Sequence, residues 1–365
     1  RATLFPYATL FRSLYWSDML GDHNLVTMAQ VNGRIGDWAA LVGYQNRKRR
    51  LNWSIGAQVI PYIQGDFRNG FDNSGNYVEL IRRFKQTSRE VSGVIAYPFN
   101  RSFRLEASAG VQQITFNDEV QLIGYDGGSG QVIYDSTFHN PVPPALGLGS
   151  ATLALVKDNT FFGLVGPILG DRWRIEADPT YGTLKFVTAL VDYRKYVMPV
   201  RPFTLAGRFL TIGRYGPDGD DPRMYPMFIG YPSLVRGYDL NSFGNGAECG
   251  LNVNSCPIVD QMFGSRIMVA SLELRFPLFG VLHAGGGYYG ILPIEAGIFY
   301  DAGAAWTGTE GVQIFGNGPR QVYRSAGATF RMNLFGFAIG QMDVVHPFER
   351  PTKDWLVRFS LTPAF

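Results

Sequence analysis

In SFRLEASAGVQ, residues 102–112, Phe103, Leu105, Ala107, Ala109 and Val111 alternate with Arg104, Glu106, Ser108, Gly110 and Gln112. A period of two held over about ten residues specifies a β-strand with one apolar and one polar face. The same period runs through LNWSIGAQVI (51–60) and DRWRIEAD (171–178). It closes the chain in DWLVRFSLTPAF (354–365), where Trp355, Val357, Phe359, Leu361 and Phe365 share a face against Arg358, Ser360 and Thr362. A soluble two-sheet sandwich also alternates, but its solvent face carries many Lys and Glu. Here the polar faces hold Gly, Ser, Asn, Gln, Thr and isolated charges, and the apolar faces gather Trp, Tyr and Phe toward strand ends. That is the pattern of a lipid-facing belt with aromatic girdles around a polar lumen. Only a closed barrel satisfies the backbone of such strands in lipid.

The bulk numbers agree. Of 365 residues, 17% are charged and 14% aromatic, against about 25% charged in soluble domains. No apolar run reaches the roughly 18 residues of a transmembrane helix. The net charge of +3 is dispersed along the chain, which argues against a nucleic-acid partner. Strands are expected near 14–18, 24–33, 37–46, 51–62, 77–97, 102–116, 149–158, 171–180, 183–196, 202–213, 266–277, 292–304, 322–333, 337–346 and 354–364. That is about fifteen, and bacterial single-chain barrels have an even number. The expectation is therefore an all-β, transmembrane antiparallel barrel of about 16 strands, with the first strand lying upstream of this chain. Short turns such as YPFNRS (97–102) and NLFGF (333–337) alternate with long loops at 117–148, 214–265 and 305–321. Residues 14–365 read as one barrel domain. TLFPYATLFRS (3–13) closely resembles a translated sequencing adapter, so residues 1–13 are set apart as an artefact; a genuine apolar strand is the alternative.

The longest loop contains FIGYPSLVRGYD, residues 228–239. A loop arginine is ordinarily a solvated charge. Arg236, however, is followed by two strands that each carry one acid on the polar parity. In SLELRFPL (271–278) the apolar face takes Leu272, Leu274 and Phe276 and turns Glu273 inward. In AGIFYDAGAAW (296–306) Ile298, Tyr300 and Ala302 face out and Asp301 faces in. A loop folded back into the lumen sets Arg236 between these carboxylates, where a guanidinium fork binds bidentately and a lysine does not. Gly237 lets the backbone approach closely. Asp343 shares the inward parity as a lumen-lining candidate.

LVRGYD, then LELRFP, then FYDAGAAW, with a final strand ending in Phe365, resemble the BamA/TamA-type outer-membrane assembly barrel superfamily, the bacterial surface antigen family. WSDMLGDHNL (16–25) is similar to the turn between the second and third strands of that family, which agrees with an absent first strand. The resemblance spans nearly the whole chain from residue 14 and is strongest over 228–365. It implies that Val235, Arg236, Gly237 and Tyr238 form the motif at the tip of the sixth extracellular loop, with Glu273 and Asp301 as the arginine's partners. It further implies an integral protein of the bacterial outer membrane that inserts or translocates β-rich polypeptides through a weak seam between first and last strands. Phe359, Leu361 and Phe365 resemble the signal by which such a barrel is itself inserted. Outer-membrane lipids, unfolded barrel or secreted polypeptides and periplasmic accessory proteins are the partners this implies. A membrane anchor or exporter for an upstream periplasmic module, and a passive porin, stand as alternatives.

No covalent chemistry is expected. His23, His139, His283 and His346 are scattered, with neither a metal set nor a catalytic triad, so neither an enzyme nor a cofactor is anticipated. GSG (128–130) and GGG (285–287) lack the strand–helix context of a phosphate cradle. Cys249 and Cys256 lie in one polar loop and read as a disulfide in an oxidising compartment or as two free thiols.

Overall fold

The computed structural model describes residues 9–32, 34, 36–243, 256–313, 319–351 and 354–363. The chain is dominated by a 17-stranded sheet, in which every strand pair with an assigned register is antiparallel. Sixteen of its strands have eight or more residues. They are β1 Thr9–Ser17, β2 His23–Asn32, β3 Trp38–Asn46, β4 Asn52–Phe71, β5 Tyr77–Pro98, β6 Phe103–Tyr125, β7 Val132–His139 and β8 Leu146–Asp158. Then follow β9 Pro167–Gly182, β10 Phe186–Val200, β11 Phe203–Tyr215, β12 Arg266–Pro277, β13 Ile294–Trp306, β14 Tyr323–Leu334, β15 Ala338–Pro347 and β16 Leu356–Pro363. Among the described residues helix is confined to short turns at Leu240–Ser242, Pro257–Asp260 and Leu278–Val281.

The chain forms two units. The first comprises residues 1–97, 106–152 and 180–185. Its centre is the β4–β5 hairpin, which pairs without interruption from Asn52↔Ala96 to Phe71↔Tyr77. The Asp72 carboxylate closes its turn by accepting from the Ser74 and Asn76 N–H groups at 2.8 and 2.9 Å. Twenty rungs at about 3.3 Å each reach roughly 65 Å, where a tilted strand crosses a bilayer in about 9–11 residues. The hairpin therefore runs well past an apolar belt. Trp53, Ile55, Val91, Ile95 and Val111 are all exposed, as lipid-facing residues are in a lipid-free structure. Two expectations fail in this region. The strands read as 51–62 and 102–116 continue to Phe71 and Tyr125, and the loop expected at 117–148 holds β7, which pairs with β6 from Glu119↔His139 to Tyr125↔Val132. Beyond the bilayer both faces of a strand meet water, so the apolar alternation that marks a spanning strand weakens while backbone pairing continues. At the other end, β1 begins at Thr9, and residues 9–13 pair with Met28–Asn32.

The second unit comprises residues 98–105, 153–179 and 186–365. Here β10 to β12 pair in sequence order, as do β12 to β16. The described parts of the connection after β11, 216–243 and 256–265, fold against the polar faces of β11–β14. Phe228, Ile229, Val235, Tyr238, Val259 and Met262 from the loop form one apolar cluster with Leu210, Ile267, Val269, Ala305 and Tyr323 from the strands. Burial of each large side chain contributes about 1.5–3 kcal/mol, so the loop carries its own core onto the sheet. A two-residue antiparallel pairing, Met227–Phe228 with Phe263–Gly264, fastens its base.

Candidate functional site

The site grows out of parity. Along β12, Ile267, Val269 and Glu273 are buried while Ala270 and Leu272 are exposed. Along β13, Phe299, Asp301 and Gly303 are buried while Ile298 and Tyr300 are exposed. Strand register sets Ser271 opposite Asp301 and Glu273 opposite Phe299. The two acids thus lie on one face, one pairing step apart, with the Phe299 ring between them. Glu273 is 5% exposed and Asp301 is 1% exposed.

Arg236 enters from the loop. Its Nε donates to Asp301 Oδ2 at 2.7 Å and its Nη2 to Asp301 Oδ1 at 2.9 Å, which is a bidentate fork. Its backbone N–H reaches Asp301 Oδ2 at 3.3 Å, and Nη1 reaches Glu273 Oε2 at 3.4 Å. The guanidinium carbon sits 3.4 Å from the centre of the Phe299 ring, so the cation is stacked as well as paired. The structure therefore brings Arg236, Glu273 and Asp301 together, with Asp301 as the principal partner.

The other motif residues make the approach possible. Val235 is fully buried, and a Cβ at Gly303 would come within 2.5 Å of its Cγ2, so only glycine there admits the valine. Gly237 has φ +87°, a conformation costly for any side chain, and a Cβ would meet Val345 Cγ1 at 2.8 Å. Tyr238 is fully buried and stacks edge-on against Tyr323 at 5.2 Å. Its hydroxyl lies 2.8 Å from the Arg324 carbonyl and 2.9 Å from Glu349 Oε2, and accepts from the Glu349 N–H at 3.1 Å.

Several members of this arrangement were not singled out from the sequence. Arg331 on β14 donates to Glu273 through Nη1 at 2.5 Å and Nη2 at 3.1 Å, and Arg275 Nε donates to Glu273 Oε1 at 3.0 Å. Glu273 is thus shared by three arginines and is held more closely by its neighbours on the wall than by the loop. Asp343 accepts from Gln341, whose own Oε1 receives Arg331 Nε at 3.0 Å. Arg350 Nη1 donates to the Gly237 carbonyl at 3.0 Å and to Ser242 Oγ at 2.8 Å. Arg358 on β16 pairs with Asp239 at 2.8 Å, which joins the loop to the last strand. Inward parity marked Arg331 in TFRMNL in the same way that it marked Glu273. Beside the clasp lies a cavity of about 210 Å³ whose lining includes Arg194, Arg208, Ser271 and Gln341.

Phe359 and Leu361 are 75% and 68% exposed on β16, whereas Phe365 lies outside the described residues. Cys256 is disulfide-bonded; Cys249, the sequence's other cysteine, lies outside the described residues. Among the described residues no group of three or more His, Cys, Asp or Glu side chains could hold a metal ion.

Residues 43–361 match the Omp85 superfamily domain. The fold is similar to that of BamA from Haemophilus ducreyi lacking POTRA domains 1-3, with TM-score 0.55 and 14% identity over 97% of this chain and 69% of that one. CdiB from Acinetobacter baumannii gives TM-score 0.53 at 12% identity, over 97% of this chain and 56% of that one. CdiB from Escherichia coli gives 0.52 at 13%, over 98% and 59%. This chain thus spans just over half of each CdiB chain. No curated protein sequence matches it significantly. With the antiparallel sheet, the lipid-type outer face and the loop folded onto the polar face already in place, the match assigns the chain to a family: it belongs to the Omp85 superfamily and is an integral β-barrel of the bacterial outer membrane.

Proposed function

We propose that this barrel assembles or translocates other polypeptides at the outer membrane, and that its reaction is strand pairing rather than covalent chemistry. The incoming chain is a β-rich barrel or secreted polypeptide delivered from the periplasm, with accessory proteins as escorts. It docks by adding a strand at an edge of the sheet near the terminal strands, an edge that soluble proteins ordinarily hide. The observation that carries this reading is the buried Arg236–Asp301 fork. A passive pore has no need to bury a cation in its interior and clasp it from two strands. A burial of this kind adds little net stability over an apolar core, yet holds one arrangement of the loop. Loop placement is therefore its purpose, and the Asp239–Arg358 pair extends that placement to the last strand.

The test is insertion of a reporter barrel by the reconstituted protein, compared before and after Arg236→Ala. Loss of insertion at unchanged protein level supports the reading. Normal insertion together with raised conductance supports a porin and ends it. A second reading is a membrane anchor or exporter for a periplasmic module of its own protein. It predicts no handling of substrates supplied in trans.

A further inference from the structure

The outward face of β3–β6 carries a feature that the Arg236 clasp does not explain. Register places Ala40, Val59 and Arg89 side by side, and Val42, Ala57 and Val91 in the neighbouring row of the same face. That face is the apolar one: Ile55 is 54% exposed, Val91 51% and Val111 65%. An open groove of about 660 Å³ is sunk into it, lined by Trp38, Ala40, Ala57, Val59, Val91 and Val111 among others. The small side chains of Ala40 and Ala57 leave the space, and Glu90, also in the lining, is held by Gln58 at 2.9 Å.

Directly above the groove the face changes character. Going up β5 from Val91, the outward positions are Arg89, Thr87, Lys85 and Arg83. A second hollow of about 200 Å³ opens there, and Trp38, Val59 and Arg89 line both. Lys85 Nζ reaches Asp37 at 3.3 Å and the Gly36 carbonyl at 3.2 Å, Arg83 pairs with Asp37, and Arg34 pairs with Glu119 at 2.6 Å. Four cations thus face two carboxylates. Arg89 is exposed and donates to Thr115 Oγ1 at 3.1 Å, and among the described residues it has no carboxylate partner. This end of the sheet is the one from which the β4–β5 hairpin projects well past the apolar belt, whereas the β5–β6 turn at the other end is short, so it is the extracellular end. An apolar slot in the bilayer beneath an unneutralised arginine at headgroup height is complementary to an anionic lipid of the outer leaflet.

We propose that this face binds one phosphorylated, multiply acylated glycolipid of the outer leaflet, with acyl chains in the groove and a phosphate on Arg89 and Lys85. The site ties the long-stranded wall to its leaflet and is independent of the loop clasp. The test uses protein extracted from outer membranes in mild detergent, stripped of lipid, and mixed with diphosphoryl lipid A, its dephosphorylated form or phosphatidylglycerol, with binding read by native mass spectrometry. One equivalent of diphosphoryl lipid A is expected, held at least about tenfold more tightly than either alternative, since a charge-assisted contact is lost in one and the acyl fit in the other. Arg89→Ala and Ala57→Trp are each expected to weaken binding by about tenfold, while heat-modifiable mobility on a gel stays that of the parent. Equal binding of dephosphorylated glycolipid, or equal displacement by phosphatidylglycerol, overturns the proposal without any variant. Unchanged binding by Arg89→Ala overturns it as well.

Discussion

The β4–β5 hairpin and the β12–β13 pair are both antiparallel, both uninterrupted and both built on alternation, yet their interiors differ. Neither β4 nor β5 contains a buried residue. In β13 eight of thirteen residues are buried. The difference is the loop. Where residues 216–243 and 256–265 lie on β11–β14, the polar face becomes the core of a folded protein, with fully buried Val235 and Tyr238 and a desolvated charge cluster. Along β4 and β5 side chains on the polar face remain partly exposed, and the wall depends on its backbone ladder and on lipid. Charges beneath the loop must be fully paired, whereas a half-buried polar pair such as Gln58 and Glu90 on β4 and β5 is nearly free to change.

The sharpest way to break this comparison is to remove the fork. Asp301→Ala leaves Arg236 buried beside Phe299 with only the 3.4 Å contact to Glu273. The expected cost is about 3–5 kcal/mol, read as a lowered unfolding midpoint in detergent and as new protease cleavage within 216–265. Glu90→Ala on β5 deletes a comparable ion, but its partner Gln58, at 2.9 Å, is half-buried and can turn to water. Its cost is expected to stay within about 1 kcal/mol. Equal losses from the two substitutions would show that the loop does not create a distinct core.

Next in size is the backbone. Gly237→Ala keeps every charge but forces a Cβ into φ +87° and to within 2.8 Å of Val345. A cost of about 1–3 kcal/mol is expected. Because Arg236 itself is untouched, the result separates the fit of the tip from the charge it delivers. If the loop stays resistant to protease in Gly237→Ala, the fork alone holds it. If it is released, the apolar seat of Val235 and Tyr238 is required to present the fork.

The same contrast explains what could be read from the residues alone. Glu273 and Asp301 were legible because each sits mid-strand with apolar neighbours at i±1 on the lipid parity, so a single rule turned both inward. The bidentate preference of Arg236 for Asp301 was not legible, because it depends on a 2.7 Å against a 3.4 Å approach that no spacing encodes. Arg331 was visible by parity yet lacked a motif to draw attention to it. The extension of β4 to Phe71 and the β7 strand were missed for the opposite reason: above the membrane a strand has no apolar face to enforce a period. Lipid writes the alternation, and it stops where the lipid stops.

The smallest expected effect concerns the root of the loop. Asp220 accepts from the Gly308 N–H at 2.9 Å and from the Ser265 hydroxyl, tying 216–222 to the loop that follows β13. Desolvation raises its pKa, but the hydrogen bonds from Ser265 and Gly308, with Arg266 and Arg214 nearby, outweigh it and hold the carboxyl below its ordinary 3.8. A depressed folded value means that the contact stabilises fully above the unfolded pKa and is lost as pH falls through the folded one. Protease access to residues 216–222 should therefore be flat from neutrality down to about pH 4 and rise only below it. Asp220→Asn should raise access at neutral pH and flatten the acid rise. An acid rise that survives Asp220→Asn would place the titrating group elsewhere, with Asp221, also held low by its bond from Arg223, the next to replace. Because Asp220 is exposed, the change stays at the root of the loop, and the Arg236 fork, buried and independent of it, should keep the tip in place throughout.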